Sequence, residues 1–256
     1  MRKNIFFIFS IGILLTPVES FAWGHEGHQI IADIVKDHLS QNIQDSVKKY
    51  LGTMTFEQAS TWMDDVRSDH SYDYMKSWHY IDIEKGQNYV PDPNDHNCIT
   101  ELQRVIKELD NKTKLSKDQI NDDIKVLFHL VGDISQPLHC GYPEDKGGNT
   151  IHVSFLGKKV NLHRVWDSEI IYYKKINTEI CEAAYSGINT AEIKKIQKID
   201  VMSWVNDSRS LLPDVYDFQN NEIDENYIDK NTPIIEKQLF DSGLRLANVL
   251  TQIFSK

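Results

Sequence analysis

Histidine and aspartate recur four residues apart at two places in this chain of 256 residues. The first pair is His129 and Asp133, and the second is His163 and Asp167. On a helix, residues four apart project from the same face, so the two side chains of each pair can bind one cation. A single pair of this kind is usually no more than a hydrogen bond. Two pairs in apolar helical segments favour metal binding, because a buried carboxylate is costly unless it is paired or coordinates a metal.

Further imidazoles and carboxylates lie near these pairs or earlier in the chain. Pro137 ends the helix that carries the first pair and lets His139 turn back toward the same site. Three earlier segments combine tryptophan with histidine or aspartate, at 23–28, 60–67 and 78–82. A mixture of imidazole and carboxylate suits zinc better than calcium or magnesium. The sequence therefore predicts a zinc site assembled from distant segments.

The N-terminus has the features of a secretory signal peptide, with basic residues at positions 2 and 3, an apolar run over 5–15 and then Ala22. This run is shorter than the roughly 20 residues that span a bilayer, so a single-pass anchor is the weaker alternative. We predict cleavage after Ala22 and a secreted or periplasmic protein without stable membrane association. Residues 1–22 are then the signal peptide, and residues 23–256 form one domain that starts with the free amine of Trp23.

The charge and the cysteines set two further limits. The formal charge of the chain is −10, so its general surface does not attract a polyanion, because affinity for nucleic acid normally rests on lysine and arginine. Bound cations are then the obvious local source of positive charge. The three cysteines, Cys98, Cys140 and Cys181, suit an oxidising compartment but cannot all pair internally. We predict one disulfide and one free thiol, and the sequence leaves the pairing open.

Apolar residues recur at helical spacing through most of the chain, which predicts a mainly α, single-domain fold. Helices are expected to open after Ser40 and Ser116 and at Thr232–Pro233, where the C-terminal helix begins. A small β-hairpin is expected from strand signals at 150–155 and 159–162. The polar segments 85–97 and 208–230 are expected to be loops.

The metal-binding segments resemble those of the S1/P1 nuclease family, zinc-dependent nucleases that cut single strands, and the match runs in order from Trp23 to Asp167. The resemblance implies a phospholipase C/nuclease-like fold and three zinc ions. In the Trp-x-Asp pattern, Asp64 and not Asp65 is the expected ligand. Asp133 is expected to bridge two ions. The implied ligands are Asp64, His79, His129 and Asp133 for one ion, the amine and carbonyl of Trp23 with His28 and Asp133 for a second, and His139, His163 and Asp167 for the third.

The resemblance also implies an activity, the endonucleolytic hydrolysis of single-stranded DNA and RNA to products with 5′-phosphates, together with 3′-nucleotidase activity. Zinc is expected to activate a water for attack on phosphorus. Asp64 would orient this water or take its proton, and Arg67 would neutralise charge on the phosphoryl oxygens. Tyr80 would stack on a base and Asp82 would read its edge. The alternatives are core packing for Tyr80 and a surface ion pair for Arg67.

Two other functions compete with this one. A zinc-dependent phospholipase C has a similar helical fold, but that family usually ends its ligand series in glutamate where this chain has Asp167. The Trp-x-Asp-x-x-basic segment and Tyr80 also fit a nucleotide better than a lipid. A secreted metal-binding protein without catalysis is the second alternative, and such a protein would be expected to lack at least one ligand, whereas every implied ligand is present.

Overall fold

The computed structural model describes residues 23–92 and 94–255. The signal peptide predicted at residues 1–22 lies outside these residues. Within the described part of the chain, no helix combines the length and the apolar character that crossing a membrane requires.

The fold is mainly α, as predicted, and its buried apolar side chains form one continuous core. Helix α1 packs against α3 and α12, while α5 packs against α3 and α4, so the core lies between these helices. The described residues form helices α1 (His25–His38), α2 (Gln41–Leu51), α3 (Phe56–Asp65), α4 (Cys98–Asp110), α5 (Lys117–Asp133), α6 (Leu162–Arg164), α7 (Ile170–Lys174), α8 (Thr178–Ala184), α9 (Thr190–Ile196), α10 (Val201–Arg209), α11 (Leu212–Val215) and α12 (Glu225–Phe254).

Serine precedes the first residue of both α2 and α5, and at α5 it forms a side-chain cap. The Ser116 hydroxyl accepts a hydrogen bond from the Gln119 amide while the Gln119 side chain accepts one from the Ser116 amide, which satisfies two amides at the start of α5. Ser40 precedes α2 without a side-chain cap hydrogen bond, and Gly52, with a positive φ of 67°, follows the last residue of that helix. The predicted starts after Ser40 and Ser116 are therefore confirmed.

Helix α1 approaches α12 very closely at Gly243. A Cβ atom at this position would lie 2.3 Å from Cγ2 of Ile34. Any larger residue would separate the two helices, and α1 carries part of the candidate metal site. The glycine therefore allows α1 to sit against the C-terminal helix.

The predicted hairpin is confirmed, and it belongs to a three-stranded sheet. Strands β1 (His152–Phe155) and β2 (Lys158–Asn161) pair antiparallel, with Val153 opposite Val160. A two-residue strand, β3 (Glu222–Ile223), lies parallel to the other edge of β1. Two residues are too few for a period-two pattern to be recognised in the sequence.

Two predictions of local structure are wrong. The segment 208–230 is not a loop, since it contains the end of α10, all of α11 and β3, and the first turns of α12. Helix α12 begins at Glu225, where the Asp224 carboxylate accepts a hydrogen bond from the Tyr227 amide, and Pro233 lies inside the helix. Proline removes the hydrogen bond to the carbonyl four residues earlier. That carbonyl belongs to the exposed Asp229, so water can satisfy it. The segment 85–97 is free of helix and strand in its described residues, as expected.

Candidate metal centre

The predicted ligand side chains converge from six separate segments into one buried region. Three groups of histidine and aspartate have donor atoms within 4.8 Å of one another. All of these side chains are at least 95 % buried. The three groups are His28, Asp64 and His129; His79, His129 and Asp133; and His139, His163 and Asp167.

Asp133 occupies the middle of the first two groups, and its two oxygens face in different directions. Oδ2 lies 3.1 Å from Nδ1 of His79 and 3.4 Å from Nε2 of His129. Oδ1 lies 3.2 Å from Nε2 of His28. A carboxylate that offers one oxygen to each of two sets of imidazoles has the arrangement required of a bridging ligand.

Asp64 faces the same centre from α3. Its Oδ1 lies 3.8 Å from Nε2 of His129 and 4.0 Å from Nδ1 of His79. The adjacent Asp65 points outward and pairs with His25 at 3.0 Å. Neighbouring residues of a helix point about 100° apart around its axis. The structure therefore brings Asp64, and not Asp65, to the site.

The third group lies at the other end of the region, around His139, His163 and Asp167. Nε2 of His139 lies 3.0 Å from Nε2 of His163, which is 3.4 Å from Oδ2 of Asp167. The backbone from Val165 to Glu169 forms a single turn of π-helix, and such turns are frequent at functional sites. The pairs four residues apart that the sequence predicted thus both reach the site.

Backbone carbonyls hold three of the imidazoles in one orientation. Nδ1 of His129 donates to the Ser60 carbonyl at 2.7 Å, and Nδ1 of His139 donates to the His79 carbonyl at 2.6 Å. Nδ1 of His163 donates to the Gly147 carbonyl at 2.6 Å. A carbonyl can only accept, so Nδ1 carries the proton and Nε2 keeps its lone pair. This is the usual arrangement for metal-binding histidines, whose second nitrogen is hydrogen-bonded.

Burial keeps four imidazoles of the site, those of His28, His79, His139 and His163, neutral. It lowers the pKa of His79 and of His163 to about 4 in each case, and it lowers the pKa of His28 and His139 well below the ordinary value. Burial also raises the pKa of the Asp133 carboxyl well above its ordinary value, although His129 acts in the opposite direction. A bound cation would reverse the penalty on the carboxylate. The neutral imidazoles are ready to bind metal without first losing a proton.

Several of these polar atoms are buried without a hydrogen-bond partner. They include both oxygens of Asp64, both ring nitrogens of His28 and Oδ1 of Asp133. The 3.2 Å between His28 and Asp133 is short, but the two groups are not aligned for a hydrogen bond. Buried groups of this kind cost on the order of 1–3 kcal/mol each when left unsatisfied. Metal ions would satisfy the carboxylate oxygens and Nε2 of His28, which faces Asp133, so the residues present fit zinc.

Trp23 lies at the edge of this centre and is completely buried. Its indole Nε1 donates to the Ser135 hydroxyl at 2.8 Å, two residues beyond Asp133. The next residue, Gly24, donates its amide to the carbonyl of Asp167 at 2.9 Å. The first two residues of the predicted mature chain are thus hydrogen-bonded to the segment that follows Asp133 and to Asp167.

Of the residues predicted to bind substrate, Arg67 lies beside this centre. Arg67 is about one-fifth exposed, and its Nη1 lies 3.8 Å from Oδ1 of Asp64. Tyr80 is 45 % exposed, so the alternative that it belongs to the core is wrong. Asp82 is partly buried, and burial and the nearby Asp145 raise the pKa of its carboxyl.

Two residues that support the predicted ligands, Gln136 and Gly132, were not predicted from the sequence. Gln136 is fully buried, and its amide donates to Oδ1 of Asp167 at 2.6 Å. Gly132 lies against His28, since a Cβ at this position would be 2.7 Å from Nδ1 and 2.8 Å from Cε1 of that ring. Gln136 stands between ligands His129 and His139 in the sequence, which was the available signal. The contact of Gly132 depends on another helix and has no local signal.

We expect Gly132→Ala to weaken zinc binding by roughly 10–100-fold, the effect typical of disturbing a residue that supports a ligand. Alanine is the better helix former by about 1 kcal/mol, so a loss would come from displacement of the His28 ring. Zinc content after dialysis against a weak chelator measures the effect. Gly187→Ala is the matched control, because a Cβ there meets nothing within 4 Å. Unchanged zinc binding in Gly132→Ala would contradict the contact.

The comparisons with known proteins agree with this geometry. The family model described as S1/P1 Nuclease matches residues 23–255. Endonuclease 4 of Arabidopsis thaliana is 27 % identical over 92 % of this chain and 90 % of that protein. Nuclease S1 of Aspergillus oryzae is 25 % identical over 93 % of each chain, and nuclease P1 of Penicillium citrinum is 25 % identical over 90 % of this chain and 97 % of its own. The match includes every segment that supplies the buried histidines and aspartates, and this chain therefore belongs to the S1/P1 nuclease family.

Proposed function

We propose that the chain is a zinc-dependent endonuclease that hydrolyses phosphodiester bonds of single-stranded DNA and RNA to 5′-phosphate products and also acts on 3′-nucleotides. The observation that carries the proposal is the set of buried aspartates and neutral imidazoles with unsatisfied donor atoms. The proposed ligands of three zinc ions are Trp23, His28, Asp64, His79, His129, Asp133, His139, His163 and Asp167.

Zinc bound at this site would supply Lewis acidity and a water-derived nucleophile at neutral pH. The chain's own residues supply the positions. Hydrogen bonds to backbone carbonyls orient His129, His139 and His163. The side-chain amide of Gln136 donates a hydrogen bond to Asp167 and so fixes its carboxylate. Asp64 has two oxygens free of hydrogen bonds, so it can orient a water or accept a proton from it.

Local charge also favours a phosphate at this site. Three doubly charged ions beside three aspartates leave a local charge of about +3. The remainder of the chain is acidic, with a formal charge of −10 overall. Arg67, near Asp64 and partly exposed, adds a cation that can stabilise charge developing on the phosphoryl oxygens. A substrate phosphate is therefore drawn to the metal centre rather than to the general surface.

Preference for single strands follows from the position of Tyr80. This exposed ring adjoins the proposed ligand His79 in the chain, so a base can stack on it while its phosphate lies at the metal. A base in a duplex must first be unstacked, which costs a few kcal/mol. Asp82, two residues after Tyr80 in the chain, would accept a hydrogen bond from the edge of that base.

We expect Tyr80→Ala to raise KM for single-stranded DNA by roughly 5–100-fold, since stacking contributes about 1–3 kcal/mol per base. Zinc content and kcat should change little, because the ring is exposed and is not a proposed ligand. Tyr173→Ala is a suitable control, as this tyrosine is similarly exposed, at 43 %. An unchanged KM in Tyr80→Ala would refute the stacking role.

One experiment distinguishes this function from its competitors. Zinc-loaded protein starting at Trp23 should degrade single-stranded DNA and RNA, leave duplex DNA largely intact and release phosphate from 3′-mononucleotides. The products should carry 5′-phosphates. Hydrolysis of phosphatidylcholine alone would assign a phospholipase instead, and zinc binding without any hydrolysis would leave a metal-binding protein. The family relatives named nucleases and endonucleases support the first outcome.

The proposal includes export with removal of residues 1–22 after Ala22, to the periplasm or the medium. It is supported by the signal-like N-terminus and by the buried place of Trp23 beside the metal site. N-terminal sequencing of the exported protein tests it, with Trp23 as the expected first residue.

A further inference from the structure

Two of the three cysteines meet in the core although 41 residues lie between them in the sequence. Cys98, Cys140 and Cys181 are all completely buried and all present as thiols. Burial raises the pKa of the Cys98 thiol and the neighbouring thiol of Cys140 raises it further, so the two side chains adjoin, while the Cys140 thiol also donates to the Ile134 carbonyl at 3.7 Å. Cys181, on α8, instead has the carboxylates of Glu236 and Glu182 as its charged neighbours. The fold thus brings Cys98 and Cys140, and not Cys181, together.

Backbone hydrogen bonds hold these two cysteines on either side of one extended segment, residues 80–83. The Ile81 amide donates to the His139 carbonyl at 2.8 Å, and the Ile83 amide donates to the Gly141 carbonyl at 3.1 Å. On the other side, the Cys98 amide donates to the Tyr80 carbonyl at 3.3 Å. Cys140 therefore lies in a segment fixed by hydrogen bonds at both neighbouring residues, and Cys98 begins α4 next to it.

We propose that Cys98 and Cys140 form a disulfide in the exported protein and that Cys181 remains a free thiol. The inference rests on the proposed export, because disulfides persist in oxidising compartments. The reaction is an exchange with the disulfide of a thiol oxidoreductase of that compartment. One cysteine, as the thiolate, attacks the disulfide of the oxidoreductase and forms a mixed disulfide with it. The other cysteine then attacks the sulfur of the first and expels the thiolate of the oxidoreductase. The two thiols lose two protons and two electrons, and the oxidoreductase is released as a dithiol.

This cross-link would act on the metal centre through its position. Cys140 directly follows His139, whose Nε2 lies 3.0 Å from that of His163. A bond to Cys98 ties the segment of His139 to the first residue of α4, next to the segment of Tyr80. It also restricts the unfolded chain by closing the loop from 98 to 140, which stabilises the folded state. The thiols are buried in the finished fold, so the exchange takes place before the segments pack.

Thiol counting of the intact protein tests the pairing directly. Protein exported to a bacterial periplasm is purified without reductant, alkylated in denaturant and digested. We expect one alkylated cysteine, Cys181, and one cross-linked peptide pair that contains Cys98 and Cys140. Three alkylated cysteines, or a cross-link that includes Cys181, would overturn the proposal. The nuclease assay on the same sample is independent, since active protein with three free thiols would refute the disulfide alone.

Stability measurements test the link by non-additivity. Cys98→Ser and Cys140→Ser should each lower Tm by about 5–15 °C. The double variant should melt close to either single variant, because the same bond is lost in all three. Cys181→Ser is the control. Its Tm should not show the loss that the Cys98 and Cys140 variants share, and it should retain the cross-linked peptide pair. Additive losses from Cys98→Ser and Cys140→Ser would show separate packing contributions and would contradict the disulfide.

Discussion

Asp133→Ala should remove close to two of the three proposed zinc equivalents, a larger loss than that expected for any other single proposed ligand. The reason is the direction of its oxygens, since Oδ2 faces His79 and His129 while Oδ1 faces His28. Activity on single-stranded DNA should fall by more than the roughly 100-fold typical of a residue that only supports a ligand. Elemental analysis of the purified protein, combined with single-turnover rates, measures both effects.

Asp122→Ala is the matched control for this variant. Asp122 lies on the same helix, its side chain is 63 % exposed and it pairs with Lys125 at 2.7 Å. We expect three zinc equivalents and full activity in the control. Loss of one equivalent or none from Asp133→Ala would show that the carboxylate does not bridge two ions. Circular dichroism distinguishes loss of metal from failure to fold.

A chain that retains Ala22 should lose about one zinc equivalent and most of its activity. The extra residue turns the α-amine of Trp23 into an amide, whose nitrogen has no lone pair available for a metal. No side chain of the site is changed, so the loss would isolate the contribution of the N-terminus. Proteins starting at Ala22 and at Trp23 can be released from a fusion by a protease and compared for zinc content and rate.

Trp23→Phe, in a chain that starts at position 23, provides the complementary control. This variant keeps the amine but loses the indole hydrogen bond to Ser135. We expect it to retain three zinc equivalents with a lower Tm. Normal zinc content and activity in the chain that retains Ala22 would refute the proposed role of the amine.

The local features of the fold were predictable because they depend on neighbouring residues. Ser40 and Ser116, each directly before a helix, identified two helix starts, and the hairpin at 150–162 was visible in its alternation of residues. The start of α12 was predicted at the wrong residue, because Pro233 is normally a helix-start signal. Asp224 caps the helix earlier, and the proline is tolerated where the carbonyl that it frees is exposed.

The sequence by itself determined which residues could form the site. Residue type and the spacing of four identified His129 with Asp133 and His163 with Asp167, since these positions share a helix face whatever the rest of the chain does. The family resemblance added the more distant ligands, and the structure brings their side chains into the same buried region.

Only the tertiary structure decided how those residues meet. It placed one oxygen of Asp133 toward each set of imidazoles, brought Gly132 against His28 and Gln136 onto Asp167, and set Cys98 beside Cys140. Each of these contacts depends on the packing of separate segments. No local pattern encodes such a contact, because it is the burial of the common core that sets the distance between segments far apart in the chain.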